Sequence, residues 1–182
     1  MTSFDYSECV LKHSKNYVKI HIPIETVQKV DYFTTELINN KLNESHHKTD
    51  NRNEKKRWKT GLLGECAVEK FIGKQFIDWT IGDSSFYHTP DLSTLGVNCG
   101  VKTVEKGKFP VIFKKSYKPE IIVIKNSDCE FLICGLATVQ VLNNYQSDEL
   151  ILSPFLRKRG TKTGFYGFNQ LLLPSKIIEL TS

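Results

Sequence analysis

Three side chains in this sequence have the types and setting to do joint chemistry. Asp91 follows Pro90 in the segment TPDLSTLGVNCGVKTV, Lys102 lies further along the same segment, and Glu65 stands upstream in LLGECAVE. Two carboxylates near one point repel unless a cation joins them. Carboxylate oxygens suit Mg²⁺ or Mn²⁺, and such an ion can polarise a phosphoryl oxygen and acidify a water. A lysine beside it can hold the attacking water or offset charge in the transition state. Each residue also has a plain reading taken alone. Asp91 suits a turn, Glu65 early in a helix favours the macrodipole, and Lys102 on an alternating strand suits a solvated face.

Those side chains need elements to position them. Thr60–Phe71 reads as a helix, with Thr60 as its cap, Leu63, Ala67 and Phe71 at i, i+4 spacing and Gly73 as its stop. Strands are expected at Phe76–Ile81, Phe86–Leu92 and Val97–Val104, the last two joined through a turn at Thr94–Gly96. That hairpin would set Asp91 beside Lys102. Alternation puts Asn98, Gly100, Lys102 and Val104 on one face, and Cys99, Val101 and Thr103 on the other. Upstream, Asn16–Ile22 alternates as a strand ended by Pro23, and Glu25–Leu42 has helical periodicity. The polar run from Asn43 to Trp58 is either a connection or the exposed start of the next helix. Ile121–Ile124 and Phe131–Cys134 resemble buried strands, Thr138–Tyr145 a helix, and Leu171–Leu180 a final strand or helix. The order indicates an α/β or α+β fold, a central mixed sheet flanked by helices.

Composition bounds the rest. The chain has 182 residues, 40% hydrophobic and 25% charged, which suits one soluble domain spanning 1–182. Residues 1–45 form an N-terminal strand and helix appendage in this reading. The net charge of +5 fits a polyanionic partner and equally an ordinary surface. The five cysteines are odd in number and lack CxxC spacing, so reduced thiols in an intracellular, cytoplasmic setting are expected. No signal peptide and no bilayer-length apolar run is visible.

The ordered series Gly64-Glu65-x-Ala67 on a helix, Pro90-Asp91, then Val101-Lys102-Thr103 resembles the PD-(D/E)xK nuclease superfamily. The likeness covers roughly residues 60–140. It implies a restriction-endonuclease-like core and Mg²⁺- or Mn²⁺-dependent hydrolysis of nucleic-acid phosphodiester bonds, with DNA favoured over RNA. It further implies that Glu65 and Asp91 are metal-side carboxylates, that the Val101 carbonyl is a metal ligand and that Lys102 is the catalytic lysine. A homodimer and a phage or viral source fit the family as well. One position departs from the pattern, because Gly100 stands where an acid is expected. Glu65 carries the coordination with help from Glu69, Glu105 or Glu120, or catalysis has been lost and binding kept, or Gly100 is an engineered change.

The basic stretches Lys55, Lys56, Arg57 and Lys59, and Arg157, Lys158, Arg159 and Lys162, are candidate phosphate contacts. The second is expected as a basic glycine-bearing loop at 155–165, without the strand-to-helix context of a Walker loop. Trp58, Tyr166 and Phe168 are suited to base stacking or to packing. His88 is a candidate assistant at the site, whereas His46 and His47 suit a solvated linker. Rivals to a nuclease are an inactive nucleic-acid-binding module of the same fold and a factor that binds another protein.

Overall fold

The computed structural model describes residues 3–42, 51–81 and 89–182. Ile121, Ile122, Val123 and Ile124 are all buried, as a strand covered on both faces requires. They form β4 (Glu120–Lys125), the centre of a sheet that includes β1 (Val18–His21), β2 (Gly100–Glu105) and β5 (Glu130–Ala137). The order is β1-β5-β4-β2; β2 runs parallel to β4, and the other pairs are antiparallel. A smaller antiparallel sheet joins β3 (Val111–Phe113), β7 (Lys162–Phe165) and β6 (Gln146–Ser147). The helices are α1 (Tyr6–Cys9), α2 (Ile24–Leu42), α3 (Asn51–Ile72), α4 (Val139–Asn144), α5 (Pro154–Arg159) and α6 (Ser175–Leu180). This is the expected α+β architecture with a mixed sheet.

Side chains alternate across the sheet and build two cores. Ile121, Val123 and Val101 pack with Leu63, Ala67 and Val30 under α2 and α3. Ile122, Ile124 and Val104 pack with Ile112, Phe165 and Leu142 on the other face. Each fully buried aliphatic side chain contributes about 1.5–3 kcal/mol. α3 approaches β2 closely because position 64 has no side chain: a β-carbon there would collide with the Thr103 side chain. The N-terminal residues expected as an appendage are built into these layers, since β1 pairs with β5 and α2 packs on α3.

Several local expectations are corrected. Thr60 is buried inside α3 and does not cap it, because the helix begins at Asn51. Gly73 does end it, in the left-handed region. Residues 76–81 form no strand: the amides of Phe76 and Ile77 donate to the Glu69 carboxylate, at 2.7 and 2.8 Å. Of the expected strand at Phe86–Leu92, residues 86–88, His88 included, lie outside the described residues, as do His46 and His47, and 89–92 form a bend and turn rather than a strand, with Ser93 N–H donating to the Pro90 carbonyl. No hairpin joins Asp91 to Lys102. A 3₁₀ turn at Ser93–Leu95 ends on left-handed Gly96, and β2 pairs with β4 instead. The basic loop is also two regular pieces. Ser153 caps α5, Pro154 opens it, left-handed Gly160 ends it, and Lys162 begins β7.

Candidate functional site

Asp91 is fixed by the edge of the sheet. β2 is the edge strand, and Gly100 donates inward to Pro119. The backbone of Val101 therefore faces outward, where its N–H donates to Asp91 Oδ2 at 2.6 Å. The neighbouring Leu92 N–H donates to the Cys99 carbonyl on the same edge. Asp91 thus stands beside the Val101 backbone, with its second oxygen uncommitted among the described residues.

Glu65 reaches the same place from α3. Arg57, Gly61 and Glu65, spaced one turn apart, line a cavity of about 630 Å³, and Trp58 and Leu62 line it on an adjacent row. Phe33 and Leu37 of α2, Phe76, Pro90 and Asp91 complete much of its wall. Burial pushes the Glu65 carboxyl well above its usual range, and the charges of Asp91 and Glu69 push in the same direction against Lys118. Burial also raises Asp91, although the Val101 N–H, Lys118 and Lys102 pull it down. The Glu65 carboxyl accepts no hydrogen bond and joins no ion pair among the described residues.

Lys102 leaves β2 on the opposite face. In the parallel register Gly100 lies beside Glu120 and Lys102 beside Ile122, and Ile122 belongs to the second core. Glu120 is raised by burial and by Asp91, and lowered by Lys102, Lys118 and Lys162. Lys162 is lowered by burial and by the positive charges of Lys102, Arg57 and Arg159. The structure therefore groups Glu65 with Asp91, and Asp91 with Lys102, but sets Glu65 and Lys102 on opposite faces of the edge strand. Asp91 and Lys118 are the charges felt from both sides. Lys118 was not singled out from the sequence; its signal is its place in KPE, directly ahead of the apolar run of β4.

Among the described residues, no group of three or more His, Cys, Asp or Glu side chains is gathered closely enough to hold a metal ion. The uncommitted Glu65 carboxylate and the free oxygen of Asp91 nevertheless fit a hard divalent cation. Mg²⁺ takes one or two carboxylates and leaves its other positions to water and substrate phosphate. Glu69 and Glu105 are spent elsewhere. The first binds the Phe76 and Ile77 amides, and the second pairs with Lys56 at 3.1 Å and Lys108 at 2.9 Å.

The basic stretches divide. Lys55 and Lys59 pair with Asp31, Lys59 also with Asp128, and Lys56 with Glu105. Arg57 instead lines the cavity. Arg157 donates to the Ile151 and Glu149 carbonyls, whereas Lys158 and Arg159 are exposed and the Lys162 ammonium lies over the Phe113 ring at 4.5 Å, within electrostatic reach of Glu120. Tyr166 packs against Phe4 and Tyr145, and Phe168 is buried against Phe165, so both serve as packing. All five cysteines are free thiols, and burial raises Cys66 and Cys99 to about 12, which leaves them inert. No described helix is long and apolar enough to cross a membrane. Comparison with protein-family profiles, curated proteins and solved structures returns no match to this chain.

Proposed function

We propose that this cleft is the active centre of a metal-dependent phosphodiesterase. Within that class the reading is a nuclease of the PD-(D/E)xK type with a restriction-endonuclease-like core, acting on DNA in preference to RNA. One observation carries it. Carboxylates with raised affinity for protons stand around an open strand edge without ion-pair partners among the described residues, with Lys102, Lys118 and Lys162 within electrostatic reach and Arg57 lining the adjoining cavity. Negative groups that want a cation, beside cations that want an anion, match a metal ion with a phosphodiester.

In this reading Glu65 and Asp91, with the Val101 carbonyl, hold Mg²⁺ or Mn²⁺, which would neutralise charge at the scissile phosphate and acidify a water. Val101 fixes Asp91 through its N–H, so the carboxylate does not rotate away from the edge. Lys102, near Asp91 and Glu120, orients the attacking water or offsets charge on the phosphoryl oxygens. Arg57 and Lys162 hold flanking phosphate.

The test is cleavage of plasmid and single-stranded DNA with Mg²⁺, with Mn²⁺ and with EDTA. The expected result is cutting in either metal and none in EDTA. Asp91→Asn can still accept the Val101 N–H, so it should fold while losing about a hundredfold or more in rate, the scale of one lost electrostatic group. An Asp91→Asn protein that cuts like the parent removes the assignment. Metal-independent, salt-sensitive DNA binding without cutting would favour an inactive binding module, the reading that Gly100 supports.

A further inference from the structure

We infer that the exposed rings of Phe113, Tyr117 and Phe155 form a platform on which unpaired bases of one nucleic-acid strand stack, while the lysines and the arginine among them hold its phosphates. The centre at Asp91 then receives a single strand. The inference deepens the proposed function and rests on it only for the fate of the bound strand.

Phe113, Tyr117 and Phe155 are 45%, 59% and 67% exposed, although a buried ring would contribute more to the fold. Each has a cation over it: Lys162 at 4.5 Å, Lys118 at 5.9 Å and Arg159 at 5.7 Å, all within cation–π range. The three pairs follow one path. Phe113 and Lys162 are register partners on β3 and β7. Arg159, at the end of α5, is near enough for its charge to act on Lys162. The Ser116 hydroxyl donates to the Phe113 carbonyl at 3.1 Å, which turns the chain toward Tyr117. Lys118 then lies against the edge strand, since a β-carbon built on Gly100 would be 3.1 Å from its Cε.

The segment between the rings is tied down on its inner side. Lys114 binds Asp148 at 2.6 Å and its amide donates to the Thr161 carbonyl at 3.1 Å. Asn143 accepts the Ser116 amide at 2.8 Å and donates to the Ser116 carbonyl at 3.2 Å. Phe113, Lys115 and Tyr117 are left exposed in alternation. Asp148 is neutralised by Lys114 and Glu149 accepts the Ser3 hydroxyl, whereas Lys115, Lys158 and Arg159 stand exposed around the rings. Flat rings alternating with cations match flat bases alternating with phosphates. A duplex keeps its base faces stacked inside, so only an unpaired strand meets the rings without unstacking.

Binding is measured on the full chain in EDTA by fluorescence anisotropy, so that cutting does not intervene. The probes are an oligothymidylate of about 12 nucleotides, an abasic strand of equal length and a hairpin duplex. The parent should bind the oligothymidylate about tenfold or more tighter than either of the others. Phe113→Leu, Tyr117→Leu and Phe155→Leu keep an apolar side chain but lose the ring. Each should weaken oligothymidylate binding by about fivefold or more, with abasic-strand affinity and the salt slope unchanged. Tyr117→Phe should recover most of what Tyr117→Leu loses. A parent that binds all three probes alike overturns the inference. So does a parent that binds none at low salt, the result expected of a surface for another protein. Leu variants that bind oligothymidylate like the parent, or that lose both single strands equally, overturn it as well. A parent that prefers oligothymidylate through these rings but cuts nothing in Mg²⁺ or Mn²⁺ leaves the platform standing and removes the nuclease reading. A parent that cuts in Mg²⁺ but binds all three probes alike does the reverse.

Discussion

Two sets of carboxylates in this molecule meet lysines in opposite ways. On the outer surface, Lys108 holds Glu105 below its usual range and Lys125 does the same for Asp128. At Asp31 the partial burial that would raise the carboxyl is outweighed by Lys59 and Lys55. Direct contacts of 2.7–3.4 Å make these pairs. At the edge of the larger sheet, Glu65 and Asp91 beside the cavity and Glu120 on the other face are all raised, with lysines nearby but in no ion pair with them among the described residues. The surface acids are satisfied by the chain itself, whereas the acids at the strand edge carry their charge at a cost that a proton or a bound cation relieves. Uncompensated burial of this kind marks functional sites more than structural ones.

The sharpest way to break that contrast is to supply the ligand. Mn²⁺ or Mg²⁺ at about a hundred times its dissociation constant should stabilise the protein by about 2.7 kcal/mol, read from thermal unfolding. The gain should vanish in Glu65→Gln with Asp91→Asn and persist in Asp128→Asn. Because protons compete for raised carboxylates, the gain should fade with falling pH sooner than it would at acids of ordinary pKa. Equal stabilisation of parent and cleft variant would show that the ion binds elsewhere.

A smaller effect concerns the metal-free protein. The folded-state pKa of Glu65 lies above its unfolded value. Its favourable contribution is therefore present below the unfolded pKa and lost as pH rises through the folded one. Glu65→Gln removes that loss, so its stability should stay flat across the window and exceed the parent's at neutral pH by about 1 kcal/mol. Asp128 has the opposite sign: its contribution is present above the unfolded pKa and fades as pH falls through the lowered folded value. Asp128→Asn should cost well under 1 kcal/mol at neutral pH, since the pair is largely solvent-screened. Denaturant midpoints measured across the pH range check both, and parallel curves for the two variants would dissolve the distinction.

The sequence was legible where one physical signal dominated. The β-branched run at 121–124 reads as a buried strand and is one, and Gly73 reads as the stop of the helix that it ends. The pairing partner of β2 was not legible. A hairpin from Asp91 to Lys102 and a parallel strand from Glu120 both satisfy the local pattern, and choosing between them needs contacts distant in sequence. That choice also left Glu120 as one of three candidate helpers, because only the parallel register sets it beside Gly100. Residues 76–81 look strand-like, but their first amides are claimed by Glu69, a side chain from the preceding helix. Glu65 and Asp91 were readable as a pair because helix periodicity and the Pro-Asp turn each fix one of them. The face taken by Lys102 relative to α3 was not, because it depends on which side of the edge strand the helix covers.

The basic stretches carry the smallest test of the same contrast. Lys55 and Lys59 are committed to Asp31 and Asp128, so a phosphate would have to displace a carboxylate already in place. Arg159 is exposed over the Phe155 ring and adds to the positive field at Lys162, and Lys158 is exposed beside it. Lys158→Ala and Arg159→Ala should each lower the salt slope of DNA binding by about one phosphate contact. Lys55→Ala should leave that slope unchanged and cost about 0.2–1 kcal/mol of stability. DNA affinity measured over a salt series separates the two. A Lys55→Ala slope reduced as far as that of Arg159→Ala would mean that the surface pairs open for the ligand, and that commitment to an acid in the free protein does not remove a lysine from the binding face.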